Sequence, residues 1–226
     1  MKGLRAFVTA TDTGVGKTEA ASALLSLLAD EGRRPVPFKP YESGCEDCLF
    51  PADALALRAA ARSDEDLQRI CCHRFSAPLA PGLAARRLGL DPPIQHTLAV
   101  FRSFGAGALV AEGAGGLLAP IDSKRDVIDL IRLLELPVLL VARAGLGTLN
   151  HTGLSLEALR RRRLPVLAVL LNHTAAPDDA SQDNAPYLAE RYGVRVLGPV
   201  PRLEDARKRR RAFREALRPL LKPSAR

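Results

Sequence analysis

Thr9-Ala-Thr-Asp-Thr-Gly-Val-Gly-Lys-Thr18 is the stretch from which the fold of this 226-residue chain can be read. An alternating apolar run from Leu4 to Val8 precedes it and predicts a strand, and an Ala- and Leu-rich stretch ending near Asp30 follows and predicts a helix. Between a strand and a helix, Gly-Lys-Thr points to phosphate. Gly14 and Gly16 let the backbone turn tightly so that successive amides face one anion. The helix adds roughly half a positive charge at its N-terminus. Lys17 is then placed along the outer phosphates, and Thr18 offers a hydroxyl to Mg²⁺. The strict pattern has glycine where this chain has Thr11, so the loop is a variant, with Ala10 one residue before that position. A chance Gly-Lys-Thr in an ordinary turn is the alternative, and the flanking strand and helix argue against it.

Outward from that loop the chain alternates strand and helix. Val36 to Lys39 is a short extended segment held out of the helical region by Pro35, Pro37 and Pro40. Ala52 to Arg62 carries alanines and leucines at helical spacing. Residues 64 to 105 are less legible; their prolines leave room for a short helix near Ala84 and another from Ile94 to Phe104. Strands are then expected at Ala108–Ala111, Pro137–Ala142, Val166–Leu171 and Val194–Leu197. Helices are expected at Val127–Leu134, Leu149–Arg162, Ala185–Tyr192 and Glu204–Leu221. Near-continuous apolar strands separated by helices predict an α/β fold: one P-loop domain over residues 1–226, with a mostly parallel sheet and helices on both faces. Ligands in such sheets sit beyond the carboxyl ends of the strands. That rule gathers Thr11–Thr18, Lys39–Ser43, Glu112–Gly116, Leu146–Asn150 and Asn172 onto one rim.

Composition narrows the class. The net charge of +8, from 33 basic and 25 acidic residues, invites a nucleic-acid partner. The basic blocks Arg160–Arg163 and Arg207–Arg211, however, lie in or beside helical segments with apolar partners, which makes them solvated helix faces. Only six of the 33 are lysine, and the arginine bias runs through the whole chain rather than along one stripe. No nucleic-acid partner is expected. No apolar run reaches the ~18 residues of a membrane span. Met1 and Lys2 lead directly into the first strand, so neither a signal peptide nor a membrane partner is expected, and the chain is predicted to be cytoplasmic.

Six blocks in register carry a resemblance. They are Ala10 to Thr18, Lys39-Pro40 with Ser43-Gly44, Asp53 to Leu57, Glu112 to Gly116, Leu146 to His151, and Asn172. In this order and near this spacing across residues 4 to 203, the chain resembles the dethiobiotin synthetases. The resemblance implies a homodimeric Mg²⁺- and ATP-dependent ligase. It would take 7,8-diaminononanoate and CO₂ to dethiobiotin, ADP and phosphate through a carbamic–phosphoric anhydride.

Residue by residue, the resemblance makes Lys39, Lys17 and Thr13 catalytic and Thr18, Asp53 and Glu112 the Mg²⁺ ligands. It assigns nucleotide contacts to Gly14, Val15, Gly16, Lys17, Thr18, Glu19, Asp53, Glu112, Gly113, Ala114 and Gly115. Asn172 would meet the adenine edge, with Pro201, Arg202 and Leu203 as the far wall. Ser43, Asn150 and Tyr187 would hold the second substrate, the last two reaching its carboxylate across the dimer.

The chemistry asks for such residues, since a carbamate approaches a triphosphate only when positive groups lie between them. Each position also has a plainer explanation. Asp53 could be a helix-start acid, Lys39 a surface lysine with a buried stem, and Tyr187 an aromatic on an amphipathic helix. Glu112 is harder to dismiss, because a carboxylate between a buried strand and a Gly-Ala-Gly-Gly turn is costly without a cation.

The chain departs from the resemblance at Pro78-Leu79-Ala80-Pro81-Gly82, in a short Ser43–Asp53 loop, and at Arg207-Lys208-Arg209, where the family often has an acid near the ribose. Cys45, Cys48, Cys71 and Cys72, with His73, leave three possibilities: a zinc site, a labile disulfide, or free thiols. Two other ATPases of this fold stay open, a cobyrinate amidating enzyme and a ParA/MinD-like partition switch. A nucleic-acid or membrane-associated binding protein is the remaining class.

Overall fold

β1 (Arg5–Ala10) is a central strand of a six-stranded sheet ordered β2-β5-β1-β6-β7-β8, with every neighbouring pair parallel. The other strands are β2 (Val36–Phe38), β5 (Leu109–Glu112), β6 (Val138–Arg143), β7 (Val166–Asn172) and β8 (Val196–Val200). A separate parallel pair joins β3 (Tyr41–Ser43) to β4 (His73–Phe75). The structure is a computed structural model that describes residues 3–179 and 181–221; the expected lead-in from Met1 and Lys2 lies outside those residues.

The two faces of the sheet follow from the two-residue period of its strands. Ala6, Val8, Ala10, Val110, Leu139, Val141, Ala168 and Leu170 point to one side. There they pack on α1 (Lys17–Asp30), α2 (Ala52–Ala61) and α9 (Ala206–Leu217) through Leu24, Leu28, Leu57, Phe213 and Leu217. Phe7, Leu109, Ala111, Leu140, Ala142, Val169 and Leu171 point to the other. They meet α6 (Val127–Leu134), α7 (Thr148–Arg161) and α8 (Ser181–Tyr192) through Ile128, Ile131, Leu134, Leu156, Leu159 and Leu188. Helices therefore cover both faces, as the uninterrupted apolar strands predict.

Most boundaries fall within two residues of expectation, and three differences are informative. β1 runs on to Ala10, because Thr9 and Ala10 pair with Leu140 and Val141 on β6. β8 starts at Val196 rather than Val194 and continues past Leu197 through Gly198-Pro199 to Val200. The segment 41–75 holds β3, α3 (Leu67–Ile70) and β4, none of them expected. Elements of three or four residues are too short to show a period. α4 (Pro81–Arg87) and α5 (Ile94–Ser103) occupy the next stretch, near where helices are expected.

The basic blocks are held by helix packing. α9 docks through Phe213 and Leu217, 1% and 0% exposed, while Arg214 pairs with Asp30 at 2.5 Å and also donates to Ser26. Arg207, Lys208, Arg210 and Arg160 to Arg163 are largely solvent-facing. Among the described residues no helix is long and apolar enough to cross a membrane.

Candidate functional site

The carboxyl ends of β1, β5 and β7, with the segments after β2 and β8, surround a cavity of about 540 Å³. Thr13, Gly14 and Gly16 of the phosphate loop form part of its wall. Gly16 takes φ 101° as the N-cap of α1, and Gly14 takes φ 70°, both in the left-handed region that favours glycine. A Cβ on Gly16 would come within 2.7 Å of Asn172 Nδ2 and 3.2 Å of the Phe213 ring. Thr11, which stands where the strict pattern has glycine, has no positive φ, so a side chain is accommodated there. The variant loop thus keeps glycine where the backbone turn demands it.

Lys17 is 8% exposed, and its ammonium donates to the Asp12 carbonyl at 2.9 Å, curled back on its own loop. Burial lowers its pKa, partly countered by Glu112. Thr18 Oγ1 donates to Glu112 Oε1 at 3.0 Å.

Lys39 lies at the centre of the charge arrangement. Only 3% exposed, it is not a surface lysine, and its Nζ sits 2.8 Å from Asp53 Oδ2 and 2.5 Å from Glu112 Oε1. Burial alone would lower its pKa, but the two carboxylates outweigh that and hold the ammonium charged. Glu112 is fully buried, and burial raises its carboxyl pKa against the pull of Lys39. Burial also raises Asp53, yet Lys39 outweighs it and the net shift is downward.

Glu112 Oε2 is buried with no hydrogen-bond partner. An unsatisfied carboxylate oxygen beside a Thr hydroxyl is a position that a hard cation fits, because Mg²⁺ takes one or two carboxylates and leaves its other sites to phosphate and water. Thr18, Asp53 and Glu112 are the residues that could hold one.

Asp53 does not cap α2. The N-cap is Pro51, which has no side-chain acceptor, and the amides of Asp53 and Ala54 instead donate to Glu42 Oε1 and Oε2, each at 3.0 Å. Glu42, 5% exposed, lines the cavity and is absent from the expected site. Its signal was a lone acid between Lys39 and Ser43, in a strand too short to be seen.

Thr13, Gly14, Gly16, Glu19, Ser43, Ala114, Gly115, Asn172, Pro201, Arg202 and Leu203 also line the cavity. Val15 and Gly113 do not; their carbonyls accept from Asn172 Nδ2 at 3.0 Å and Lys39 Nζ at 3.5 Å. His173, Thr174, Glu204, Arg209 and Phe213 complete the wall, none of them expected. Arg209 donates to the Leu203 carbonyl at 2.8 Å and pins that wall in place.

Not every segment of the expected rim lines this cavity. Leu146–Asn150 and Tyr187 do not line this cavity; Leu146 is 86% and Tyr187 50% exposed, and Asn150 is exposed. A smaller recess of about 330 Å³ lies on that side, between Thr11, Gly116, Leu118, His151 and Leu154. The loop before α7 is held there by Asp178, whose Oδ2 accepts from the Leu146 amide at 2.6 Å, and by Asn184, which donates to the Ala144 carbonyl at 2.7 Å.

The four cysteines are unbridged, and among the described residues no group of three or more His, Cys, Asp or Glu side chains is arranged to hold a metal. The zinc alternative therefore has no ligand set here. Burial raises Cys45 to about 11 and Cys72 to about 12.

A family model described as an AAA domain matches residues 5–210. The protein named ATP-dependent dethiobiotin synthetase BioD from Anaeromyxobacter dehalogenans (strain 2CP-C) is 44% identical over 220 residues, covering 96% of this chain and 97% of that one. The protein of the same name from Xanthomonas euvesicatoria pv. vesicatoria (strain 85-10) is 37% identical over 201 residues, covering 86% and 89%. Among solved structures, the signal recognition particle receptor FtsY from Elizabethkingia anophelis superposes with a TM-score of 0.52 at 15% identity. That match takes in 94% of this chain and 65% of the receptor, and at such identity it speaks for the fold alone. Near-full-length identity to proteins of one name, on an α/β fold whose phosphate loop faces a buried lysine, leads to one conclusion: the chain belongs to the dethiobiotin synthetase family.

Proposed function

We propose that the 226 residues act as one cytoplasmic, homodimeric domain that makes dethiobiotin, in biotin biosynthesis, from 7,8-diaminononanoate, CO₂ and ATP. The observation that carries this reading is Lys39. A general ATPase needs one lysine on the phosphates, and Lys17 is placed for that; a second, buried between Asp53 and Glu112 at the mouth of the loop, serves a reaction in which two anions must touch.

In that reaction one amine of the substrate adds to CO₂ and loses a proton, giving a carbamate. A carbamate oxygen attacks the γ-phosphorus of ATP, and ADP leaves. The second amine then attacks the carbonyl carbon of the anhydride and loses a proton, phosphate leaves, and the ureido ring closes. The loop amides and Lys17 hold the β- and γ-phosphates, Lys17 giving up its bond to the Asp12 carbonyl to reach them. Lys39 stands where carbamate and γ-phosphate meet and offsets the charge that gathers on their oxygens. Thr13 and Ser43, on the cavity wall, orient the carbamate and the amines. When bound, Mg²⁺ would draw charge from the phosphate oxygens, and Thr18, Asp53 and Glu112 are the residues that would hold it. Asn172 selects the base with its amide oxygen and remaining N–H, since its other N–H is committed to Val15.

The exposed Leu118, Leu146 and Leu154 support a dimer. Isolated leucines are ordinary on a surface, but Leu118 and Leu154 flank one recess, beside the helix that starts just after Leu146. In such a dimer the exposed Asn150 and Tyr187 are the residues that serve the partner's site. The test is phosphate release with 7,8-diaminononanoate and bicarbonate each omitted in turn. Release should require both; release that needs neither and rises with DNA or vesicles would identify a partition switch instead.

A further inference from the structure

We infer that Glu42 is a positioning residue of this active site: it caps α2 from another element so that the Asp53 carboxylate is left free to face Lys39. The inference rests on the proposed function only in assigning Asp53 a catalytic setting.

Helices with a good N-cap use a side chain at the cap position itself. α2 cannot, because its N-cap is Pro51. An acid two residues further on, such as Asp53, is the usual local substitute, turning back to the first amides or lying against the helix dipole. Here it stands in the first turn but does not turn back to those amides, and its carboxylate reaches Lys39 at 2.8 Å. The orphan amides of Asp53 and Ala54 are taken by both oxygens of Glu42, 11 and 12 residues upstream.

β3 explains how Glu42 gets there. Tyr41 points into the core beneath the sheet at 1% exposure, so the alternation of the strand turns Glu42 to the opposite side, toward α2. The pairing Glu42↔Arg74 fixes the register of β3 on β4. Arg74 forms no ion pair with the carboxylate: its Nε and Nη1 donate to the Cys71 and Cys48 carbonyls, and its buried Nη2 has no partner. Lys39, Glu42 and Ser43 thus travel on one short segment that is bolted to the start of α2, and the separation of Lys39 from Asp53 is set by that bolt.

The alternative is that Glu42 is itself a ligand for metal or substrate. The two roles separate by rescue. Pro51→Ser supplies a hydroxyl at the cap position, from which it can accept from the same two amides. Variants Glu42→Ala, Glu42→Gln and Glu42→Ala/Pro51→Ser are compared with wild type in two assays: amide hydrogen exchange of residues 53 and 54 on metal-free protein, and dethiobiotin formation across a Mg²⁺ titration.

Glu42→Ala should speed exchange at both amides by about threefold to thirtyfold, the range expected for a lost N-cap. It should also lower turnover and raise the Mg²⁺ needed for half-maximal rate, while metal-free ADP affinity stays near wild type. Glu42→Gln, which keeps one acceptor oxygen, should fall between, and it carries the test if Glu42→Ala does not fold. The double variant should recover both slow exchange and turnover. Unchanged exchange in Glu42→Ala overturns the inference, as does a double variant that recovers exchange but not turnover. If wild type itself makes no dethiobiotin, the proposed function fails, and the exchange data still decide whether Glu42 is the cap.

Discussion

Replacing Lys39 by Gln should damage both the fold and the chemistry, with opposite sensitivity to added metal. The side chain is 3% exposed and lies between one fully buried carboxylate and one partly exposed one. Removing one partner of a buried ion pair costs roughly 3–5 kcal/mol, because the other charge is left without compensation. Gln keeps a hydrogen-bond donor and Asp53 can turn to water, so the low end applies. For a chain of this size, about 3 kcal/mol corresponds to roughly 6–12 °C in Tm.

The loss depends on pH. Burial raises the Glu112 carboxyl in the folded state, so its share of stability is present below its unfolded value of 4.5 and is lost as pH rises through the folded value. Without the Lys39 ammonium that folded value climbs further. Lys39 itself is raised above 10.5 in the wild type and stays charged across this window. The Tm gap between wild type and variant should therefore already be present near pH 5, through the Asp53 carboxylate that Lys39 holds below its usual 3.8, and should widen toward pH 8 as Glu112 is asked to ionise. Mg²⁺ with ADP should narrow it by supplying the missing positive charge. Activity should not recover, since loss of a charged donor to a developing oxyanion costs about 10²–10³ in rate. The assays are thermal unfolding with chelator or with Mg²⁺ and ADP at each pH, calorimetry for nucleotide affinity, and product formation. A variant that melts within about 2 °C of wild type in chelator at pH 8, or forms product at close to the wild-type rate, refutes the assignment of Lys39.

Glu112→Gln should behave differently: the Lys39–Asp53 pair survives and a buried charge is removed, so metal-free Tm should stay close to wild type while turnover falls steeply. Near-normal turnover at limiting Mg²⁺ would exclude Glu112 as a metal ligand. The arginine blocks should give no duplex-DNA binding above non-specific levels at physiological salt, and a gel shift at nanomolar protein would contradict their reading as solvated faces. Cys45 and Cys71 are buried and Cys48 and Cys72 only partly so, which predicts slow thiol labelling in the native protein, a rapid reaction of all four after denaturation, and no bound zinc. Stoichiometric zinc in purified protein would contradict that.

The parts legible in sequence are those whose physics is local. Gly14, Gly16, Lys17 and Thr18 announce themselves through a strand–turn–helix setting, and apolar strands such as Val138–Leu140 declare burial on both faces. The buried setting of Glu112 was legible too, since a carboxylate at the end of such a strand has nowhere cheap to go. Illegible parts depend on contacts between distant segments. Asp53 at a helix start looks like a cap until the structure shows Glu42 doing that work. β3 and β4 exist because of each other, and three residues carry no period. Leu146–Asn150 follows a strand like the other rim segments, yet it does not line the cavity and is tied instead to Asp178 and Asn184, contacts that no spacing in the sequence predicts.

The central claim is that a carbamate oxygen and the γ-phosphorus of ATP are joined above Lys17 and beside Lys39. Dethiobiotin formation from CO₂ labelled with ¹⁸O in both oxygens, run as a single turnover faster than the label exchanges with water, tests it directly. The anhydride route transfers one labelled oxygen to the released phosphate and leaves the other in the ureido carbonyl, which serves as the control for exchange. Labelled dethiobiotin accompanied by phosphate carrying one ¹⁸O is the predicted result; labelled dethiobiotin with unlabelled phosphate would contradict the account.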